Sequence, residues 1–75
     1  MEAHSVTELL IEFIAEETGT RPDVVTCATS LADLGVDSLE FVELIQSIER
    51  KFKAIIPREK WGSIDTVGDI AKALA

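Results

Sequence analysis

An all-α fold, a small four-helix bundle whose third helix is only a turn or so long, is predicted by three observations. Ser5, Asp37 and Thr66 each stand three residues before an acidic side chain, the spacing of a helix N-terminus. Downstream of each, apolar residues recur every three or four positions, which is a helical period. The chain has 75 residues, enough for one domain. A domain of that size buries only about 60% of the surface its unfolded chain exposes, which leaves little room for a deep catalytic cleft.

The first helix starts at Ser5-Val6-Thr7-Glu8, a capping box in which Ser5 and Glu8 each satisfy a free backbone N–H. Val6, Leu9, Leu10, Phe13 and Ile14 are expected to form its buried stripe, with Glu12, Glu16 and Glu17 in water and Gly19 at its end. A long connection follows, broken by Pro22 and by the run Thr26-Cys27-Ala28-Thr29-Ser30. Within it, Ser30-Leu31-Ala32-Asp33 is expected to cap a single helical turn closing at Gly35.

Asp37-Ser38-Leu39-Glu40 opens the second helix with two acids favourable to the helix dipole, and the helix is expected to reach about Phe52. At 100° per residue, Phe41, Leu44, Ile45, Ile48 and Phe52 fall in one stripe about 100° wide, which is a core face. Leu39 and Val42 lie on the opposite side, with Glu43, Gln46 and Arg50. Isolated exposed apolar residues are ordinary. These two stand within a turn of Ser38 and are edged by acids, so the five residues are read as a partner-docking face. Pro57 suits the first turn of the short third helix, which ends near Trp61. Thr66-Val67-Gly68-Asp69 caps the fourth, carrying Val67, Ile70, Ala71 and Leu74.

Composition excludes several function classes. Apolar residues make up 47% of the chain, yet no apolar run approaches the eighteen or so residues of a membrane span. Met1-Glu2-Ala3-His4 does not look like a signal peptide, so a soluble cytoplasmic protein is expected. Cys27 is the only cysteine and is expected to be a plain loop thiol; with a single His, no zinc cluster can be assembled. A serine hydrolase needs a base beside its nucleophile, but the only candidate is His4 and there is no Gly-x-Ser-x-Gly elbow. The expectation is a protein that is not an enzyme.

The net charge of −7 makes nucleic acid a poor partner. The charge is also divided: net −10 through Glu49 and net +3 from Arg50 onward. An acidic front half steers a molecule toward basic surfaces on partner proteins.

The stretch Asp33-Leu34-Gly35-Val36-Asp37-Ser38-Leu39 resembles the acyl carrier proteins of fatty-acid and polyketide synthesis. Glu43, the Ile48-Glu49 pair, Phe52, the Ile56-Pro57 step and Thr66-Val67-Gly68-Asp69-Ile70 are similar to the same pattern, so the likeness covers nearly the whole chain. The resemblance implies that Ser38 receives 4′-phosphopantetheine from a phosphopantetheinyl transferase using coenzyme A, and that Asp37 helps the transferase bind its metal and substrate. The arm then carries acyl groups as thioesters among enzymes with basic docking surfaces, in a fatty-acid, lipid or polyketide pathway. The chain is expected to be a monomeric single carrier domain over residues 1–75, with no metal and no membrane insertion; Met1 and the absence of flanking linkers point to a freestanding protein, with a domain excised from a larger synthase as the alternative. An aminoacyl or peptidyl carrier is the nearest alternative, disfavoured by Asp rather than His or Gly directly before Ser38. An unmodified interaction module with an acidic helix is the other. Where many family members stay acidic, this chain has Glu49-Arg50-Lys51-Phe52-Lys53, which points to a dedicated pathway. If cargo slips between the helices, Leu9, Phe13, Leu44, Ile48, Phe52, Ile64 and Ile70 are candidate liners, with Trp61 either a cap over that region or a side chain that only packs the short third helix.

Overall fold

The computed structural model describes residues 5–74. It is the expected four-helix bundle, built from α1 (Val6–Thr18), α2 (Ser38–Phe52), a four-residue α3 (Arg58–Trp61) and α4 (Val67–Leu74). Two short 3-10 turns, Pro22–Val24 and Ala32–Leu34, lie in the long connection between α1 and α2. Helix α1 packs against α2, α4 and the first of these turns.

The capping box of α1 forms as read: Glu8 N donates to Ser5 Oγ at 3.1 Å and Ser5 N to Glu8 Oε1 at 3.3 Å. Its buried stripe forms in part. Leu10 and Ile14 are buried and Phe13 packs on the core as expected, joined by Ala15, whereas Val6 is 53% and Leu9 39% exposed. The cause is that α1 is apolar around most of its circumference, so periodicity alone does not choose a side. The side chosen carries the small Ala15, which allows close approach of neighbouring elements, with Ile11 and Phe13 packed at its margins.

In the connection, Val25 and Leu31 are buried, and an exposed ion pair joins Arg21 Nη2 to Asp23 Oδ2 at 2.6 Å. The second turn forms with Leu31, not Ser30, as its N-cap and with no side-chain cap bond; Ser30 Oγ instead accepts from Ala32 N at 3.1 Å, just before the turn. That turn closes at Gly35 with φ 80°, a left-handed conformation that favours glycine. The connection is clasped to the start of α4 by backbone hydrogen bonds that local reading does not reveal. Leu31 N donates to Asp65 O (2.9 Å), Val67 N to Thr29 O (3.1 Å) and Gly68 N to Cys27 O (2.9 Å). A side chain at position 68 would place its Cβ 2.9 Å from the Cys27 carbonyl oxygen, so the clasp requires glycine there. Cys27 itself is an exposed free thiol.

Helix α2 buries Leu44, Ile45 and Ile48, with Phe41 and Phe52 half-buried at the ends of the stripe. Phe52 meets Phe13 edge-on, with centroids 6.4 Å apart. The helix ends at Lys53, which adopts the left-handed conformation (φ 53°, ψ 49°) although it is not glycine. Glu49 then ties the next segment back: its Oε2 accepts from Ile56 N at 2.8 Å. Pro57 precedes α3 as its N-cap, one position earlier than expected. Of the candidate liners, Leu44, Ile48, Ile64 and Ile70 are packed in the core and Leu9 lies at the surface.

At the start of α4, Asp69 N donates to Thr66 Oγ1 at 3.2 Å, and Asp69 Oδ2 accepts from the N–H groups of Asp65 (2.9 Å) and Thr66 (3.1 Å). The Asp65 and Thr66 N–H groups hold the Asp69 carboxyl below its ordinary pKa by favouring the ionised form. The unfolded chain therefore takes up this proton at a higher pH than the folded one. The stabilisation is complete above the unfolded carboxylate value of about 4 and is lost as pH falls through the lower folded value. Thermal unfolding followed from about pH 5 to pH 2 is expected to show a falling Tm, with a shallower fall in Asp69→Asn. Parallel curves for the two proteins would show that the cap carries none of the acid sensitivity.

Candidate functional site

Ser38 occupies the first position of α2, and its side chain is exposed. Its placement is fixed from both directions. On the helix side, Asp37 is the N-cap: Glu40 N donates to Asp37 Oδ1 at 2.8 Å, and Asp37 N donates to Glu40 Oε1 at 3.3 Å. On the loop side, Gly35 N bonds Ala32 O and Val36 N bonds Leu31 O, and Leu31 is in turn held to Asp65. The hydroxyl therefore projects from a stiff corner and is reachable by a partner without unfolding. Since Asp37 and Glu40 satisfy each other, the Ser38 hydroxyl has no part in the cap.

Beside Ser38 lies a cleft of about 300 Å³, whose apolar walls are Leu31, Val36, Phe41, Trp61 and Ile64. Phe41 and Trp61 meet edge-on with centroids 6.1 Å apart. Trp61 Nε1 donates to Ile56 O at 2.9 Å, and the Arg58 guanidinium stacks 4.8 Å from the indole centroid. Trp61 is thus part of the wall next to Ser38 rather than a cap over the core. Of the candidate liners, only Ile64 reaches this cleft. Phe41 has a sequence signal, since it stands three residues after Ser38 and so on its side of the helix. Trp61 and Val36 have none, because the fold brings them there.

The proposed docking residues lie along one side of α2, three of them in a groove and two beside it. Leu39 is 69% exposed and Val42 half-buried, while Glu43, Gln46 and Arg50 are all exposed. Glu43, Gln46 and Arg50 line a groove that also receives Glu17 from the end of α1 and Glu40. Leu39 and Val42 stand outside it. Arg50 Nη2 donates to Ser47 Oγ at 3.3 Å and bonds neither Gln46 nor Glu43.

A group that ends in a phosphodiester fits the corner chemically: the N-terminal end of α2 favours an anion, and the adjacent cleft can shelter apolar atoms. Among the described residues no cluster of His, Cys, Asp or Glu is arranged to hold a metal ion. His4 lies outside the described residues. Among the described residues, no helix is long and apolar enough to cross a membrane.

Residues 8–74 match the family model described as a phosphopantetheine attachment site. The chain is also similar to a non-reducing polyketide synthase, tazA, of Aspergillus terreus, with 30% identity over 69 residues. That similarity covers 92% of this chain and 3% of the synthase, so the chain spans a small fraction of that relative's length.

Proposed function

Because the chain belongs to the phosphopantetheine attachment-site family, and so carries acyl groups on covalent 4′-phosphopantetheine, we propose that Ser38 is the attachment residue. The observation that carries this reading is an exposed serine hydroxyl at the first turn of α2, uninvolved in its own helix cap and bordered by an apolar cleft. Asp37 has two compatible tasks. It caps α2, and it presents a carboxylate beside Ser38 where a transferase brings its metal and coenzyme A. The arm supplies a terminal thiol that holds the acyl group as a thioester. The chain orients the arm's root and offers apolar shelter beside it, while visiting enzymes do the chemistry.

The chain works with a phosphopantetheinyl transferase and with acyl-handling enzymes. Leu39, Val42, Glu43, Gln46 and Arg50 form the face such enzymes dock on, with Glu17 and Glu40 extending its acidic groove. The similarity to a polyketide synthase favours a polyketide among the pathways open to an acyl carrier. Incubation with coenzyme A and a broad-specificity phosphopantetheinyl transferase is expected to add the mass of one arm per chain, measured on the intact protein. A chain that gains no mass is an unmodified interaction module.

A further inference from the structure

The end of α2 carries a basic surface that adjoins the docking face described above and shares Gln46 and Arg50 with it. From Arg50 to Lys60 there are five basic residues, Arg50, Lys51, Lys53, Arg58 and Lys60, against the single acid Glu59. All five are exposed, and among the described residues none is in an ion pair. Within this stretch Ile55 is 79% exposed, more than any other large apolar residue described.

Ile55 is not on a loose loop. Before it, Ala54 N donates to Glu49 O at 3.0 Å; after it, Ile56 N donates to the Glu49 carboxylate at 2.8 Å and Ile56 O accepts from the Trp61 indole at 2.9 Å. The backbone on both sides is pinned, so the side chain is held out in water at little further ordering cost on binding. It borders a shallow depression of about 520 Å³ shared with Gln46, Glu49, Arg50, Lys53 and Ala54.

An exposed isoleucine on a pinned backbone, with Arg50 and Lys53 beside it and the Glu49 carboxylate already bonded to Ile56 N, has the anatomy of an apolar anchor with a charged rim. We propose that this pole is a second docking surface that receives an acidic amphipathic helix of a partner protein, an apolar side chain packing on Ile55 and carboxylates facing Arg50 and Lys53. Such a helix offers apolar and acidic groups three or four residues apart, matching the mix around the depression. An anionic lipid surface or a second copy of the chain would also meet the acidic front half, net −10 through Glu49, whereas a single helix can contact the pole alone. The acidic groove and the basic pole allow one carrier to distinguish partners by the sign of their docking sites.

The test uses the full chain, isotopically labelled and carrying Ser38→Ala, so that its outcome is independent of whether Ser38 is modified. The probe is a synthetic acidic helical peptide with leucines along one face, titrated by NMR. Amide shifts are expected to concentrate between Glu49 and Arg58. Ile55→Ser should weaken binding about tenfold, as expected for loss of one buried anchor. Lys53→Glu should weaken it severalfold at low salt, with the difference shrinking as salt screens it. Ile55 is exposed, so unfolding of Ile55→Ser should match that of the parent. The proposal is overturned if the shifts fall elsewhere, if a peptide with serines in place of leucines binds equally well, or if neither substitution weakens binding. It is equally overturned if only vesicles of phosphatidylcholine and phosphatidylglycerol perturb these amides, or if the chain self-associates through them.

Discussion

Ser38→Ala is expected to abolish loading by a phosphopantetheinyl transferase completely while leaving thermal unfolding unchanged. The two halves of this outcome come from different parts of the corner. The fold does not need the hydroxyl, because the first turn of α2 is closed by Asp37 and Glu40 and alanine is a good residue at the first helical position. Loading needs it because no other serine combines exposure, a helix start and the cleft. Intact-mass measurement checks the result, and mass gain at Ser5, Ser30, Ser47 or Ser63 would sink the assignment. Asp37→Asn separates the two tasks given to Asp37. Asparagine caps about as well as aspartate, so stability should persist while loading slows. Loading at the parent rate would leave Asp37 with the capping role alone.

Ile48→Ala is expected to cost roughly 2–5 kcal/mol, the range for large-to-small changes in a core. Ile48 is fully buried at the centre of the α2 stripe, where the truncated methyl groups leave a space that neighbouring side chains fill only in part. In a domain this small the loss approaches the whole folding free energy. A shift of about 4–8 °C in Tm accompanies each kcal/mol at this chain length, so the effect is large in calorimetry. Val42→Ala, at a half-buried position on the other side of α2, should cost well under half as much. Equal losses at the two positions would mean that the stripe does not define the core.

These expectations follow the part of the molecule that was legible in the sequence. The caps at Ser5, Asp37 and Thr66 rest on hydrogen bonds spanning three residues, so their residue types and spacing nearly determine them. The α2 stripe was legible because the helix is strongly two-sided. In α1 the same reasoning misplaced Val6 and Leu9, since a helix apolar on most sides is oriented by its neighbours. What local spacing cannot carry is long-range pairing: the Thr29–Val67 and Cys27–Gly68 backbone bonds, the Glu49–Ile56 tie and the arrival of Trp61 beside Phe41. The candidate corner was therefore readable down to Ser38, while the cleft beside it was not.

Trp61 gives the molecule an optical property as well as a wall. The chain has one tryptophan and no tyrosine, so its near-ultraviolet emission comes from a single indole. That indole is half-buried, bonded through Nε1 to the Ile56 carbonyl and set against Phe41 in the cleft next to Ser38. Whatever enters or leaves the cleft changes the water around the one fluorophore present. A group that enters the cleft is therefore expected to shift the wavelength of emission of the unlabelled protein, which reports how dry the cleft is.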